Sequence, residues 1–361
     1  MEYPIDLPGG AQLSTISICK GLAGNKAYEP VVICPDLLYP EKNSFPFRIL
    51  TYPMGEKRLP NLFKRIKAFK ELIKAENPDL IHIEMSESLI TYGFVRKYFK
   101  NLKYIYTDRG MYFGYRTRSK IFMLPVLRRS EMLITTTDRN RKLWEENSDV
   151  RPVETIYNTI SSVFNTYDES KRKKEGKFTI GFAGRICIEK DWPFVPVLIK
   201  KFKDSGLDFR VELVLSLFEK GDDLEAAELK KKITEIVGEE NFTYRSELTQ
   251  AEMSDFYYGL DLFVMTSSFE SFGKAAVEGM SRGCAVIATG VGGLREVVGD
   301  DRYIYDKDKV EKIIPLVRKM AEDREALKEI QGYFLDRYRN NFTEEKYIER
   351  HLQIYDRITE G

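Results

Sequence analysis

Histidine and tryptophan are nearly missing from this chain, and cysteine is scarce. Its 361 residues include two histidines, two tryptophans and four cysteines. With only His82 and His351 to draw on, a histidine-rich metal centre is excluded. Cys19, Cys34, Cys187 and Cys284 are scattered without C-x-x-C spacing, which reads as reduced, mostly buried thiols and not as a disulfide framework. No run of about 18 apolar residues exists, so no transmembrane helix is expected. The opening MEYPIDLPGG lacks a basic region leading into an apolar stretch, so no signal peptide is expected either. Repeats of solenoid period and low-complexity tracts are also missing. These absences leave a cytoplasmic globular protein as the expectation.

No sign of charge dominates, since 57 Lys and Arg meet 56 Asp and Glu. The balance hides an asymmetry. Residues 1–160 hold 25 cations against 18 acids, and residues 161–361 hold 32 against 38. The first half is therefore expected to face something acidic. The chain is too long for one ordinary core and fits two domains. Short apolar strands alternate with helical patterns from end to end, which argues for an α/β class with parallel sheets covered on both faces. In the first half, strands are expected at 5–7, 31–34, 47–51, 80–83, 104–107, 131–137 and 153–157. Helices are expected at 14–22, 59–75, 86–98 and, capped by Asp138, on to Glu146. Pro8-Gly9-Gly10-Ala11-Gln12 forms a strand-turn-helix junction, a geometry that suits an anion. The segment 96–129 has ten basic residues and one acid, Asp108, with Tyr98, Phe99, Tyr104, Tyr106, Tyr112, Phe113, Tyr115 and Phe122 interleaved. The polar run 166–177 reads as the linker, which sets domains at 1–165 and 166–343. The second half restarts with a strand at 178–182, alternates to a late strand at 303–305, and is helical over 308–359.

The chain is organised around FESFGKAAVEGMSRGCAVIATGVGGLREVV at 269–298. A strand at 261–266 feeds it and one at 285–288 leaves it, with a helix over 273–282 between. Glu270 then sits on the strand-to-helix loop and Glu278 two turns down the helix. Amides around Phe272 and Gly273 point off a helix N-terminus, which suits a phosphate. Carboxylates beside an anion site suit a ligand with both hydroxyls and phosphate. The plainer reading is a capped helix with solvated glutamates, which leaves the turn at Gly292 and Gly293 unexplained.

This stretch resembles the E-x7-E signature of retaining glycosyltransferases of the GT-B type, family 4 (glycosyl transferases group 1). Gly184-Arg185 and Lys190 match the R-x4-K pair of that family. The resemblance implies two Rossmann-like domains facing across a cleft: an acceptor-binding first domain, a nucleotide-sugar-binding second one, and a final helix, about 344–361, crossing back onto the first. It implies that Glu270 holds sugar hydroxyls, Glu278 the ribose diol, and Arg185 with Lys190 the diphosphate. Ser271, Phe272, Gly273 and Lys274 would line the phosphate site, and Gly10 would approach donor phosphate and acceptor. The strand end at 242–246 aligns with the base-contacting position. A uridine diphosphate sugar is the favoured donor, giving a hexosyl- or N-acetylhexosaminyltransferase of cell-surface polysaccharide synthesis. The acceptor would be a glycan, lipid-linked and met at an anionic membrane surface through 96–129, on the inner face of the membrane. No cofactor or metal is expected, and no nucleic acid. Asp306-x-Asp308 reads as a helix N-cap and not a metal motif. The family carries a histidine at the strand end where this chain has Arg109. Arg109 is thus a candidate for contact with the C6 group of the donor, as hydroxyl or carboxylate, or else pairs with Asp108 or Glu84. His82 reads as a satisfied core or rim histidine. Alternatives are a non-hydrolysing nucleotide-sugar epimerase of similar fold and a non-catalytic scaffold.

Overall fold

The computed structural model describes residues 1–7, 9–40, 44–54, 58–172 and 175–360. Pro8 of the glycine loop and Lys173 and Lys174 of the expected linker lie outside the described residues. The chain divides into two compact units, Met1–Thr159 with Glu344–Gly361, and Ile160–Thr343.

The first unit runs α1 (Gly10–Ala23), β1 (Val31–Pro35), β2 (Arg48–Tyr52), α2 (Arg58–Glu76), β3 (Leu80–Glu84), α3 (Ser86–Val95), β4 (Lys103–Asp108), α4 (Thr117–Leu127), β5 (Met132–Thr135), α5 (Asp138–Asn147) and β6 (Val153–Thr155). All pairings are parallel, but the strands form two sheets, β1-β2 and β3-β4-β5-β6. Side-chain alternation along the strands feeds two apolar layers. Tyr104, Tyr106 and Leu133 join the layer under α2, α3 and α4, while Ile105, Met132 and Ile134 join the one under α1.

Three sequence expectations change here. Residues 5–7 form a turn, not a strand: the Leu7 amide bonds the Pro4 carbonyl at 3.3 Å, and the Asp6 carboxylate accepts the amides of Leu38 and Tyr39. The glycine loop is shortened because α1 starts at Gly10 itself. Thr137, not Asp138, caps α5, its hydroxyl accepting the Asn140 amide at 3.2 Å.

The second unit runs β7 (Phe178–Arg185), α6 (Phe194–Asp204), β8 (Phe209–Ser216), α7 (Asp222–Val237), β9 (Phe242–Ser246), α8 (Gln250–Tyr258), β10 (Leu262–Met265), α9 (Lys274–Ser281), β11 (Ala285–Thr289), α10 (Leu294–Val298), β12 (Ile304–Tyr305), α11 (Ile314–Glu322) and α12 (Arg324–Asn341). One parallel sheet has the order β12-β11-β10-β7-β8-β9. Every residue of β10 and β11 is buried, as a parallel sheet covered on both faces requires. The run 166–177 is part of this unit, and the division falls at Thr159, six residues before the expected one. Its charge is partly internal. Buried Arg172 donates to the carbonyls of Tyr257, Tyr258 and Arg282, satisfying helix ends that would otherwise be orphaned. Arg282, also buried, donates to the Val163 carbonyl at 2.6 Å and to Ser254 Oγ at 2.7 Å.

The last helix, α13 (Glu344–Glu360), belongs to the first unit. Its apolar face carries Tyr347, Ile354, Tyr355 and Ile358 into the layer under α1. Polar contacts fix its register. The Lys103 ammonium donates to the Ile358 carbonyl at 2.6 Å, and His82 Nδ1 lies 2.6 Å from the Tyr355 hydroxyl. Arg109 donates two parallel bonds of 2.7 Å to Glu84 and a third, of 3.0 Å, to the Tyr347 hydroxyl. Burial pushes the Glu84 carboxyl up, and the Arg109 guanidinium more than offsets this, leaving it below the ordinary value of 4.5. Removing one partner of such a pair strands the other charge. Arg109→Leu should therefore cost about 3–5 kcal/mol in urea unfolding, and adding Glu84→Leu should recover much of it. An Arg109→Leu loss under about 1 kcal/mol would show that the pair is not buried as described.

Candidate functional site

In the second sheet the strand order reverses between β7 and β10, the kind of switch point beyond whose carboxyl ends open α/β sheets bind ligands. β7 ends in Gly184-Arg185, and β10 leads into residues 266–273. The two loops are stitched together through backbone atoms. The Ser268 amide donates to the Glu189 carbonyl at 2.7 Å and Thr266 Oγ1 to the Lys190 carbonyl at 2.9 Å, while within the β7 loop itself Trp192 Nε1 donates to the Arg185 carbonyl at 2.8 Å. This places the Lys190 ammonium 2.6 Å from a Glu270 carboxylate oxygen, with each side chain about one-fifth exposed. Arg185 is exposed at the end of β7, and among the described residues its guanidinium has no hydrogen-bond or ion-pair partner.

Glu270 is held by its backbone. A Cβ at Gly292 would stand 1.8 Å from the Glu270 carbonyl oxygen, and Gly292 has φ of +52°. Only glycine fits there. The next amide, of Gly293, donates to that same carbonyl at 2.9 Å. The Gly-Gly turn left unexplained by the sequence is thus the clamp that sets the height of Glu270. Gly273, at φ +106°, opens α9. Phe272 is 2% exposed, with its ring edge-on to Phe342 at 5.8 Å between centroids. The ring is an anchor for the loop, so only backbone atoms of Phe272 can meet a ligand. Ser271 and Lys274, on either side, are partly exposed.

Glu278 projects from the second turn of α9. Tyr257 of α8 donates to its carboxylate at 3.1 Å, a partner that no sequence motif flags. Burial raises the Glu278 carboxyl from 4.5 to about 7, and the Tyr257 hydroxyl and the charges of Lys274 and Lys190 only partly offset this. Lys190 therefore pairs with one glutamate of the E-x7-E spacing and acts electrostatically on the other. Two cations, one carboxylate and one carboxyl poised near neutrality converge on the end of the sheet. That constellation can bind a polyol and an anion together.

The remaining candidates lie elsewhere or change role. Gly10 starts α1 of the first unit, and its carbonyl accepts from Ser14 Oγ at 3.1 Å. Arg109 does not present a free guanidinium to a donor sugar, because its donors are taken by Glu84, Tyr347 and Asn158. The carboxylate it reads is its own chain's. His82 is satisfied on both nitrogens, by Tyr355 and by Thr107 at 2.7 Å, and burial lowers its pKa to about 4, so it is neutral. Asp306 stands at the N-cap position of a 3-10 turn at Lys307–Lys312, but its side chain makes no capping bond. Among the described residues no three acidic, histidine or cysteine side chains cluster closely enough to hold a metal ion. The basic-aromatic segment is not one face. Tyr104, Tyr106 and Tyr112 are buried in the core, whereas Tyr98, Phe113, Ile121 and Phe122 are more than half exposed.

Comparison with known proteins agrees with this geometry. The family profile described as Glycosyltransferase Family 4 matches residues 8–162, and that described as Glycosyl transferases group 1 matches residues 163–333. A 2-deoxystreptamine glucosyltransferase of Streptomyces kanamyceticus is 34% identical over 35% of this chain and 31% of its own length. An uncharacterized glycosyltransferase of Methanocaldococcus jannaschii is 26% identical over 83% of this chain and 81% of its own. The crystal structure of Anabaena HepE in complex with UDP superimposes with a TM-score of 0.79 at 16% identity, covering 98% of each chain, which shows a shared GT-B fold.

The raised Glu278 carboxyl has a measurable consequence. In the unfolded chain it ionises near 4.5, and in the folded one near 7. Its contribution to stability should fall as pH rises from about 4.5 to 7 and stay level above that. Urea midpoints of the natural protein and Glu278→Gln, compared from pH 5 to 8, should converge or cross through that window. Parallel curves would mean that the carboxyl is not perturbed.

Proposed function

The chain belongs to glycosyltransferase family 4, and on that premise we propose that it transfers a hexosyl or N-acetylhexosaminyl group, with retention, from a uridine diphosphate sugar to a glycan acceptor. The observation that carries this reading is the convergence of Arg185, Lys190, Glu270 and Glu278 on the carboxyl ends of β7 and β10. Lys190 and Glu270 neutralise each other at 2.6 Å. A donor offers Lys190 a diphosphate and Glu270 sugar hydroxyls, so the pair opens around the substrate. Arg185 supplies the second cation, as a fork that matches phosphate oxygens. Backbone of Ser271, Phe272, Gly273 and Lys274 meets the phosphates at the start of α9, where the helix dipole favours an anion. Glu278 accepts the ribose hydroxyls once it is ionised. Anabaena HepE, solved with UDP and with UDP-glucose, supports the choice of nucleotide.

In the reaction we propose, the acceptor oxygen bonds to the anomeric carbon on the face from which the diphosphate departs. The bond from that carbon to the phosphate oxygen breaks, and the acceptor proton passes to the leaving diphosphate. The charge that develops on the diphosphate is met by Arg185 and Lys190, preorganised by the backbone stitching of their loop. Two cations fill the role that a divalent ion plays elsewhere, so turnover should survive EDTA.

A lipid-linked acceptor in cell-surface polysaccharide synthesis fits the exposed part of segment 96–129. Ile121 and Phe122 of α4 are exposed beside Arg116, Arg118 and Arg129, and Phe113 is 66% exposed just before the helix. No helix among the described residues is long and apolar enough to cross a membrane. Apolar side chains among cations suit reversible docking on an anionic bilayer, with each cation worth about 1 kcal/mol.

Calorimetry with UDP tests the donor site. Arg185→Ala and Glu278→Ala should each weaken binding about ten- to a hundredfold, the worth of one bond to a charged group. Unchanged affinity in both variants would move the site, and conversion of a UDP-sugar without an acceptor would identify an epimerase instead. For the membrane, the protein should sediment with phosphatidylglycerol vesicles at low salt, and Phe122→Asp should cut this severalfold. No sedimentation at low salt would leave a soluble acceptor.

A further inference from the structure

Glu278 is half of the E-x7-E spacing, but the group that orients it lies outside that spacing. Its carboxylate accepts from the Tyr257 hydroxyl at 3.1 Å, across from α8 to α9. Tyr257 is fully buried, whereas Glu278 keeps part of its surface open. The backbone of the tyrosine is pinned, because its carbonyl accepts from Cys284 Sγ at 3.0 Å and from Arg172 at 3.3 Å. Its ring is caged. Phe263 at 5.1 Å and Phe164 at 6.2 Å meet it edge-on, and Phe256 lies tilted against it at 5.1 Å between centroids. A pinned backbone and a caged ring leave the hydroxyl one place to go. A phenylalanine would make the same ring contacts, so the bond to Glu278 is what the hydroxyl adds.

The direction of that bond is fixed as well. Burial and the neighbouring carboxylate hold the Tyr257 phenol well above its ordinary value of 10, so it stays a donor near neutral pH.

We infer that Tyr257 is a positioning residue of the donor site, its hydroxyl holding the Glu278 carboxylate ionised and in the one orientation that accepts both ribose hydroxyls. This inference rests on the donor-site reading proposed above. A carboxylate offers about four acceptor sites on its two oxygens. Tyr257 takes one and the ribose diol two more, once the carboxyl proton has left to solvent. The groups acting on that proton are Tyr257 from α8, Lys274 from α9 itself and Lys190 from the β7 loop. Cys284, against Tyr257, is neutral, since burial pushes its thiol up to about 12. Burial holds the Glu278 proton on to about pH 7, and the tyrosine bond opposes it. Without the hydroxyl the proton stays on to higher pH, and the carboxylate is free to turn.

Calorimetry with UDP-glucose tests this, because a diphosphate esterified at both ends does not titrate near neutrality. The affinity of the natural protein should fall as pH drops from 8.5 to 6, and that of Glu278→Gln should stay level. Tyr257→Phe should bind severalfold more weakly at pH 8.5. Its deficit should widen about tenfold by pH 6, the worth of one bond to a charged group. 3-Fluorotyrosine at position 257, nearly the same in shape and a better donor, should move the midpoint of the profile the other way, to lower pH. That arm holds even where the phenylalanine variant does not fold. A deficit equal at every pH would make Tyr257 a packing residue and overturn the proposal, as would a profile that 3-fluorotyrosine leaves in place. Binding that needs Glu278 but ignores Tyr257 would remove this inference alone. Binding that is unmeasurable, or indifferent to Glu278→Ala, would remove the donor-site reading with it.

Discussion

The close passage of two backbones at Gly292 and Glu270 is the constraint on which the second unit's site depends. No side chain fits between that glycine and the Glu270 carbonyl. The turn after β11 therefore rides directly on the loop after β10, and the Gly293 amide ties them. With its backbone pinned from that side and Ser268 tied to the β7 loop, Glu270 has little freedom in where its carboxylate goes. The Lys190 ammonium then meets it at hydrogen-bond distance. A charge pair between two loops is worth little when the loops are free to move. Here main-chain bonds set the loops first, and the pair follows.

Buried cations carry much of the remaining architecture. Arg172 and Arg282 work as internal caps, spending their guanidinium donors on carbonyls at helix ends and in the segment before β7. Arg109 joins β4 to β3 through Glu84 and to α13 through Tyr347. In each case the charge is tolerated inside because several acceptors surround it, and removing it would leave those acceptors unpaired. The same logic holds for Asp108, fully buried at the end of β4. It accepts from the Gly110 amide, Asn140 and the Trp144 indole, as well as from Tyr115.

These internal roles explain where reading the chain as a string misled. A polar run with four consecutive basic residues after Ser170 looks like solvent-facing linker, yet Arg172 within it is a core residue. For the arginine that follows β4 in place of a family histidine, the sequence left open a ligand contact or a pair with Asp108 or Glu84, and the fold forms the pair with Glu84, 25 positions earlier on the neighbouring strand. The aromatics of 96–129 look like one interleaved surface, yet strand alternation sends Tyr104 and Tyr106 inward while α4 leaves Ile121 and Phe122 outside. Local spacing carries no record of which partner arrives from a distant element.

What the sequence by itself determined is the set of properties that depend on near neighbours. The alternation of short apolar strands with helices dictates parallel α/β units. The eight-residue spacing of Glu270 and Glu278 puts one on a loop and the other on a helix, and Gly-Gly marks a turn that needs a positive φ. Tertiary structure decided what depends on contacts far apart in the chain. Burial lifts the Glu278 carboxyl to about 7 against the pull of the Tyr257 hydroxyl, Gly292 sets Glu270, Glu84 occupies Arg109, and α13 joins the first unit. It also decided that β1 and β3 stand apart, because strand pairing is a relation between two edges and neither edge is visible in its own sequence.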